Sequence, residues 1–251
     1  MSAITMEKNT TRYCFVIRHG ERADQASDAA LKQQYEGHCD PILTPVGHQQ
    51  ARETGEFLKA QIAQIELAEG RKFDEIKFTV SPFARTITTA VEIGKVIGVT
   101  NMNLDYGWVE ALYPSFYEED PLPKLDARKI GNTGLQQEHG LQFNSCEEQY
   151  RTVGLGLFPE SKESRIARVA RNFACIQDEV VHNQTKESMV LEVIVTHFCL
   201  VRDIVMSIDT EQFNGARGGN CALTSFKMQV GEKVETSLMH NCFAEHVKTV
   251  A

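Results

Sequence analysis

The chain has 251 residues, 42% of them hydrophobic and 24% charged, with a formal net charge of −8. That is enough apolar matter for one large domain with a sizeable core, and the acidic balance argues against a nucleic-acid binder, which needs a basic face. No apolar run has the length of a bilayer span, Met1 to Thr11 lacks the apolar stretch of a signal peptide, and the seven cysteines are scattered with no CxxC pair, so a cytoplasmic protein with free thiols and no membrane contact is expected.

The first element is Tyr13-Cys14-Phe15-Val16-Ile17, whose aromatic and β-branched content reads as a buried strand. It runs straight into Arg18-His19-Gly20-Glu21-Arg22. A loop from Ala23 to Ile42 follows. Thr44 then offers a helix N-cap and Pro45 a first helical residue, and Ala51, Thr54, Leu58, Ile62 and Ile65 fall on one helical face before Gly70 ends the helix. Glu75 to Val80 alternates as a second strand. Ser81 and Pro82 are placed to cap and start the next helix, which puts Arg85 in its first turn, where the helix dipole favours an anion.

From Asp105 to Phe158 no clean period is visible, although Tyr106, Trp108, Tyr113, Phe116 and Tyr117 recur with an acidic patch at Glu118-Glu119-Asp120. This reads as an insertion of loops and short helices, about residues 105–160, laid over the carboxyl edge of the sheet. Ser164 to His182 is an amphipathic helix and Met189 to Thr196 a central strand ending in His197, with an apolar helix from Phe198 to Ile208. The tail from Ala222 to His240 alternates about Gly231-Glu232 as an edge hairpin. Gly215 to Gly219 lacks the Lys-Ser/Thr ending of a phosphate-binding P-loop and is read as a plain loop. The whole predicts a single α/β domain, residues 1–251, with a mostly parallel central sheet flanked by helices on both faces.

Three strand-to-helix turns therefore carry the same kind of residue. The first gives Arg18, His19 and Arg22, the second Arg85, the last His197. With parallel strands all would line one carboxyl edge, where open α/β sheets bind ligands. Guanidinium forks suit phosphate oxygens, and an imidazole can act as a nucleophile near neutral pH.

Arg18-His19-Gly20, Arg85 within Ser81-Pro82-x-x-Arg85-Thr86-x-x-Thr89-Ala90, and Thr196-His197 together resemble the histidine phosphatase (phosphoglycerate-mutase-like) superfamily, branch 1. Asp40-Pro41-x-Leu43-Thr44-Pro45-x-Gly47 and Gln50-Ala51 are similar to it as well. Arg22 and Asp24 narrow the likeness to the TULA-type tyrosine phosphatases and the ecdysteroid-phosphate phosphatases, as do Trp108-Val109-Glu110 and Glu147-Glu148-Gln149-Tyr150. The Ser and Trp-Asn of the mutases do not follow Arg-His-Gly here, and Phe198 rather than Asp follows His197.

The resemblance implies a phosphomonoester hydrolase in which His19 is the nucleophile and Arg18, Arg22, Arg85 and His197 bind the phosphate. It implies Glu110 as the acid for the leaving oxygen, with Glu21 as the alternative. Four positive groups would serve in place of a metal, so neither metal nor cofactor is expected. The expected partner is a phosphorylated substrate, either phosphotyrosine or a bulky small-molecule phosphate, and a homodimer is conceivable through the hairpin edge or the insertion. Two other readings stay open. One is a mutase or sugar bisphosphatase, needing a second phosphate site at Lys124, Arg128 and Lys129. The other is a binding protein on the same fold without turnover.

Overall fold

The computed structural model describes residues 10–127, 139–145, 158–182, 187–212, 218–230 and 233–249. The N-terminal segment before residue 10, Gly215–Arg217, Arg128, Lys129, Cys146, Glu147–Tyr150 and Gly231-Glu232, about which the hairpin is expected to turn, lie outside them.

Seven strands form one sheet in the order β4-β3-β2-β5-β1-β6-β7. They are β1 (Thr10–Arg18), β2 (Glu75–Val80), β3 (Asn101–Leu104), β4 (Gln142–Ser145), β5 (Ser188–Thr196), β6 (Leu223–Val230) and β7 (Val234–Phe243). The first five are mutually parallel, and the β6–β7 hairpin closes one edge antiparallel to β1. The hairpin and the central strands therefore stand where the sequence puts them. β1 and β5 are adjacent and in register, Arg18 opposite Thr196, so the residues that follow them, His19 and His197, leave the sheet at one level.

Period-2 alternation along β1 sorts its side chains between two cores. Tyr13, Phe15 and Ile17 join Leu191, Val193 and Val195 on one face, under α2 (Pro45–Glu69) and α3 (Ala84–Ile97). Cys14 and Val16 join Ile194 on the other, under α5 (Lys162–His182) and α6 (Phe198–Ile208). α2 starts as its sequence requires, with Thr44 Oγ1 accepting from Gly47 N at 2.9 Å, and ends at Gly70, whose φ of 65° is a left-handed cap. Among the described residues no helix is long and apolar enough to cross a membrane, and the cysteines there are free thiols.

Three local expectations are corrected. The loop from Ala23 to Ile42 holds a 3-10 turn (Ala23–Gln25) and a short helix, α1 (Ala29–Tyr35), started by Asp28 capping Ala30 and Leu31; α1 buries no side chain, so no apolar stripe announced it. The insertion is more than loops and helices over an edge. It contains β4, which pairs with β3 and extends the sheet, besides a 3-10 turn (Tyr106–Trp108) and α4 (Leu122–Ala127). β3 and β4 have four residues each, and Asn144 Nδ2 bridges to Asn101 and Asn103 on the polar face while Met102, Leu104 and Phe143 are buried on the other; the alternation is too short to separate a strand from its surroundings by period alone. The third correction concerns the start of α3, and it belongs to the site.

Candidate active site

At the carboxyl ends of β1 and β5 the ladder runs one step further, His19 N donating to Thr196 O at 3.0 Å. That step pins the backbone of His19. The loop beyond it packs against the start of α2 so closely that a Cβ on Gly20 would lie 2.5 Å from Gly47 O, so the two backbones can touch only because both positions are glycine. Gly20 N donates to Thr89 Oγ1 on α3, and Glu21 N to Gln50 Oε1 on α2. The loop from His19 to Glu21 is thus fixed by β5, α2 and α3.

His19 is buried and its Nδ1 lies 2.7 Å from Gly20 O. A carbonyl can only accept, so Nδ1 carries the hydrogen and Nε2 keeps its lone pair. Burial lowers the basicity of the ring to well below the ordinary histidine range, and the nearby Arg85, Arg18 and His197 lower it further. The imidazole is neutral at pH 7. The ring of His197 stands 5.4 Å from it, centroid to centroid, at 64°.

Arg85 enters from the first turn of α3, as its position in sequence requires. The expected cap does not hold. The helix begins at Ala84, and the side chain that takes its first free N–H is Asp40, at 2.9 and 3.1 Å. Asp40 also faces Arg85 Nη1 at 3.5 Å. Ser81, released from capping, places Oγ 2.8 Å from His197 Nε2. The Arg85 guanidinium lies 4.3 Å above the ring of Phe83, and the same ring meets His197 edge-on at 5.1 Å.

His197 is the first residue beyond β5 and stands at the N-terminus of α6. Its Nδ1 is 3.3 Å from Arg85 Nη2 and 3.3 Å from Glu110 Oε2. Burial lowers its basicity to about 4; Glu110 opposes that and Arg85 reinforces it. Glu110 arrives from the strand β3 side, after the 3-10 turn. Its segment is held by buried Arg168, which donates to Gly107 O at 2.8 Å and Val109 O at 3.1 Å, and by Thr196 Oγ1 donating to Trp108 O. Burial works to raise the Glu110 carboxyl, yet His197, Arg85 and His19 outweigh it and hold the group well below the usual carboxylate range. Arg85 is the permanent cation among these three.

Arg18 donates to Gly218 O at 3.2 Å and lies 5.7 Å over Phe198. Its Nε is buried with no hydrogen-bond partner among the described residues, and so is Nε of Arg85. Arg22 binds Asp24 through Nε at 2.9 Å and through Nη2. Its charge reaches Arg18 and His197. His19, Arg85, Glu110 and His197 therefore lie together, with Arg18 and Arg22 near enough for their charges to act on the two histidines. Glu21, the alternative acid, is engaged elsewhere: its carboxylate accepts from the N-cap hydroxyl of Thr44 on α2. The roles of Asp40, Ser81, Phe83 and Arg168 have no signal in the sequence, because each acts on a partner far along the chain that spacing does not display.

His19, Glu110 and His197 also present ligand atoms within 4.8 Å of one another, a donor set that sequence spacing did not show. Two imidazoles and a carboxylate suit a divalent cation chemically. The guanidiniums of Arg85 and Arg18 add positive charge to the same space, which favours an anion over a cation. An arrangement of neutral imidazole lone pair, convergent guanidiniums, the uncapped N-terminus of α6 and one buried carboxyl can bind a tetrahedral oxyanion and attack its centre.

The model of a family described as the histidine phosphatase superfamily (branch 1) matches residues 14–240. Solved structures share the fold. A phosphoglycerate mutase from Bacillus anthracis str. Sterne aligns at a TM-score of 0.58 with 17% identity, over 97% of this chain and 98% of that one. The ecdysone phosphate phosphatase from Bombix mori, in complex with tungstate, gives 0.55 and 14%, over 92% and 93%. A phosphoserine phosphatase from Entamoeba histolytica, in complex with 3-phosphoglyceric acid, gives 0.52 and 20%, over 94% and 99%. No curated protein matches.

Proposed function

The chain belongs to the histidine phosphatase superfamily, branch 1, and from that premise we propose that it hydrolyses phosphomonoesters through a phosphohistidine formed on His19. The observation that carries the reading is the tautomer of His19: the 2.7 Å contact of Nδ1 with Gly20 O leaves a bare Nε2 among cations.

In the first step His19 Nε2 forms a bond to phosphorus as the bond to the ester oxygen breaks. Arg18, Arg22, Arg85 and the Nδ1 side of His197 hold the phosphoryl oxygens and their charge, the main task in phosphoryl transfer. The leaving oxygen takes a proton from Glu110. In the second step a water attacks phosphorus, its proton goes to the Glu110 carboxylate, and the N–P bond breaks to return the lone pair to His19. Glu110 is ionised in the free enzyme at neutral pH. A substrate entering as the monoanion brings the needed proton with it, because the second ionisation of a phosphomonoester lies at about pH 6, and the added negative charge then draws that proton onto Glu110.

Phosphotyrosine and bulky small-molecule phosphates are the substrate classes in view. Transfer to a second phosphorylated molecule is the competing reading within the family. It needs cations for a second phosphate, and of the three basic residues considered for that task Lys124 is paired with Glu119. The test is His19→Ala assayed on para-nitrophenyl phosphate. Hydrolysis is expected to fall by at least about 10⁴-fold, the scale for losing a covalent nucleophile, with the unfolding temperature unchanged. Activity retained in that variant overturns the mechanism, and phosphoryl exchange onto an added phosphorylated acceptor would assign transfer instead.

A further inference from the structure

Past β7 the chain makes a turn, Val247 N donating to Ala244 O at 3.1 Å, and residues 244–249 lie along α2. They meet Gln50, Glu53, Thr54 and Phe57, which share one helical face at spacings of three and four. His246 stacks on Phe57, 4.7 Å between centroids at 24°, and its Nε2 stands 3.1 Å from Thr54 Oγ1. The Glu53 carboxylate accepts from the backbone N–H of Lys248 at 2.7 Å and of Thr249 at 3.0 Å, and from the Thr249 hydroxyl at 2.7 Å. Residues 244–249 are thus a strap, and Glu53 is its main anchor.

The fourth residue of that face leads from the strap to the active site. Gln50 is 3% exposed; its Nε2 donates to Thr249 O at 3.2 Å, and its Oε1 accepts from Glu21 N at 2.9 Å. Glu21 stands two residues beyond His19. An amide has a donor end and an acceptor end, and each partner here tolerates one of them. A backbone N–H can only donate and a carbonyl can only accept, so the oxygen must face Glu21 and the nitrogen the strap. Turning the amide over sets hydrogen against hydrogen at Glu21 and oxygen against oxygen at Thr249, in a buried place with little water to repair either. With Thr249 O withdrawn, Glu21 N alone is left to hold the orientation.

Resting on the phosphatase reading above, we infer that Gln50 is a positioning residue for the His19 loop and that the strap, residues 244–249, sets it: docking on α2 fixes the Gln50 amide in the sense that holds Glu21 N. The strap touches no phosphate-binding group. It acts on the attacking residue through one side chain, so its release slows the chemical step and leaves the hold on phosphate in place.

The test uses the full chain and reads turnover of para-nitrophenyl phosphate, affinity for inorganic phosphate, and hydrogen exchange at the Gly20 and Glu21 amides. Glu53→Ala removes three strap bonds without touching Gln50. Its kcat per folded molecule should fall about three- to tenfold, the worth of roughly one hydrogen bond, while KM and phosphate affinity hold. The Glu21 amide should exchange faster, and that of Gly20, held by Thr89 Oγ1, should stay protected. Gln50→Met should lose kcat to the same extent, and adding Glu53→Ala to it should cost nothing more, because the route is already cut. Additive losses overturn the inference. So does full kcat with unchanged Glu21 exchange in Glu53→Ala, and so does equally faster exchange at both amides, which is general loosening. Should Gln50→Met fail to fold, Glu53→Ala and its amide exchange decide. Activity retained in His19→Ala would overturn the nucleophile assignment alone, since amide exchange reads the coupling without turnover.

Discussion

The same two strands bury charge at both ends, and the two clusters are built on opposite principles. Toward the start of β1, Arg12 is 1% exposed and meets Glu192 of β5 at 2.8 Å and Glu179 of α5 at 3.1 Å, with Lys77 of β2 closing on Glu179 at 2.8 Å. Six residues on, about 20 Å along the strand at ~3.3 Å per residue, Arg18 meets a carbonyl and a ring, and Arg85 meets carboxylates no closer than 3.5 and 3.6 Å. Burial opposes the charge at both arginines. At Arg12 the carboxylates, Glu192 first, overcome it and raise the group; at Arg18 burial wins, aided by Arg22 and Arg85, and lowers it. One end is a close ion pair, although Arg12 Nε has no hydrogen-bond partner among the described residues. The other keeps positive charge short of its partners, which is the condition for binding an anion that comes and goes.

The contrast is broken most severely by removing Arg12. Arg12→Met leaves Glu192 buried without its principal cation, and the expected cost is about 3–5 kcal/mol of folding free energy, the range for one lost member of a buried pair. Urea unfolding reads it. Activity per folded molecule should not change, and Glu192→Leu in the same protein should restore much of the stability. A fall in kcat at full folding would mean that the two clusters are coupled.

Arg18→Met attacks the other end and should invert the pattern. Removing one preorganised charge from a developing transition state costs about 10²–10³ in kcat/KM. Stability should hold or rise, since the residue removed is a buried charge with no close carboxylate. Loss of stability on the scale of Arg12→Met would show that Arg18 is structural and that the contrast is wrong.

Sequence alone exposed the second cluster and hid the first, for a physical reason. Arg18, His19, Arg85 and His197 each directly follow a strand or open a helix, so strand periodicity and helix-start chemistry place them on one edge before any contact is known. Arg12 stands inside a strand and Glu192 inside another; each looks like an edge residue until β1 and β5 are seen side by side. The cap of α3 went to Asp40 for a related reason. Ser81 satisfies the local rule for a cap, but Asp40, 44 residues before Ala84, neutralises the same helix end and Arg85 together. Local rules identify which residues carry chemistry; partners set by tertiary approach, such as Ser81 with His197 or Asp40 with Arg85, carry no local signature. Membership of the superfamily was legible because its marks are local.

The contrast also sharpens with pH. His19 and His197 are buried neutral, His197 down to about 4, while unfolded histidine takes up a proton near 6.5. The unfolded chain therefore binds more protons below pH 6.5, and stability falls as pH falls through that window, down to the folded values. For His197 alone the loss between pH 6.5 and 5 is about 2 kcal/mol. Inorganic phosphate, bound among the cations, raises both histidines and should flatten the slope. Thermal unfolding at pH 7 and pH 5, with and without phosphate, checks it; a slope that phosphate leaves intact would locate the acid lability elsewhere, His246 being another histidine lowered to about 4.

The smallest expected effect is the most local. Ser81 Oγ faces His197 Nε2 at 2.8 Å. If the hydroxyl donates, Nε2 is the acceptor and Nδ1 holds the hydrogen, turned toward Glu110 and the space where phosphoryl oxygens would lie. If Nε2 holds the hydrogen, Nδ1 is bare and repels those oxygens. Ser81 is thus one of three partners that bear on the His197 tautomer, because Arg85 Nη2, which can only donate, and the Glu110 carboxylate, which accepts, both face Nδ1 at 3.3 Å. A carbonyl can only accept and fixes its histidine, whereas a hydroxyl can turn and only biases it. Ser81→Ala removes the bias at a cost of about 1 kcal/mol, the worth of one neutral hydrogen bond, hence about fivefold in kcat/KM. Nitrogen-15 chemical shifts of the His197 ring should move toward a mixture of tautomers in the variant, while those of His19 stay fixed. Unchanged His197 shifts would sink the assignment, and altered His19 shifts would show that the two rings are set as one unit.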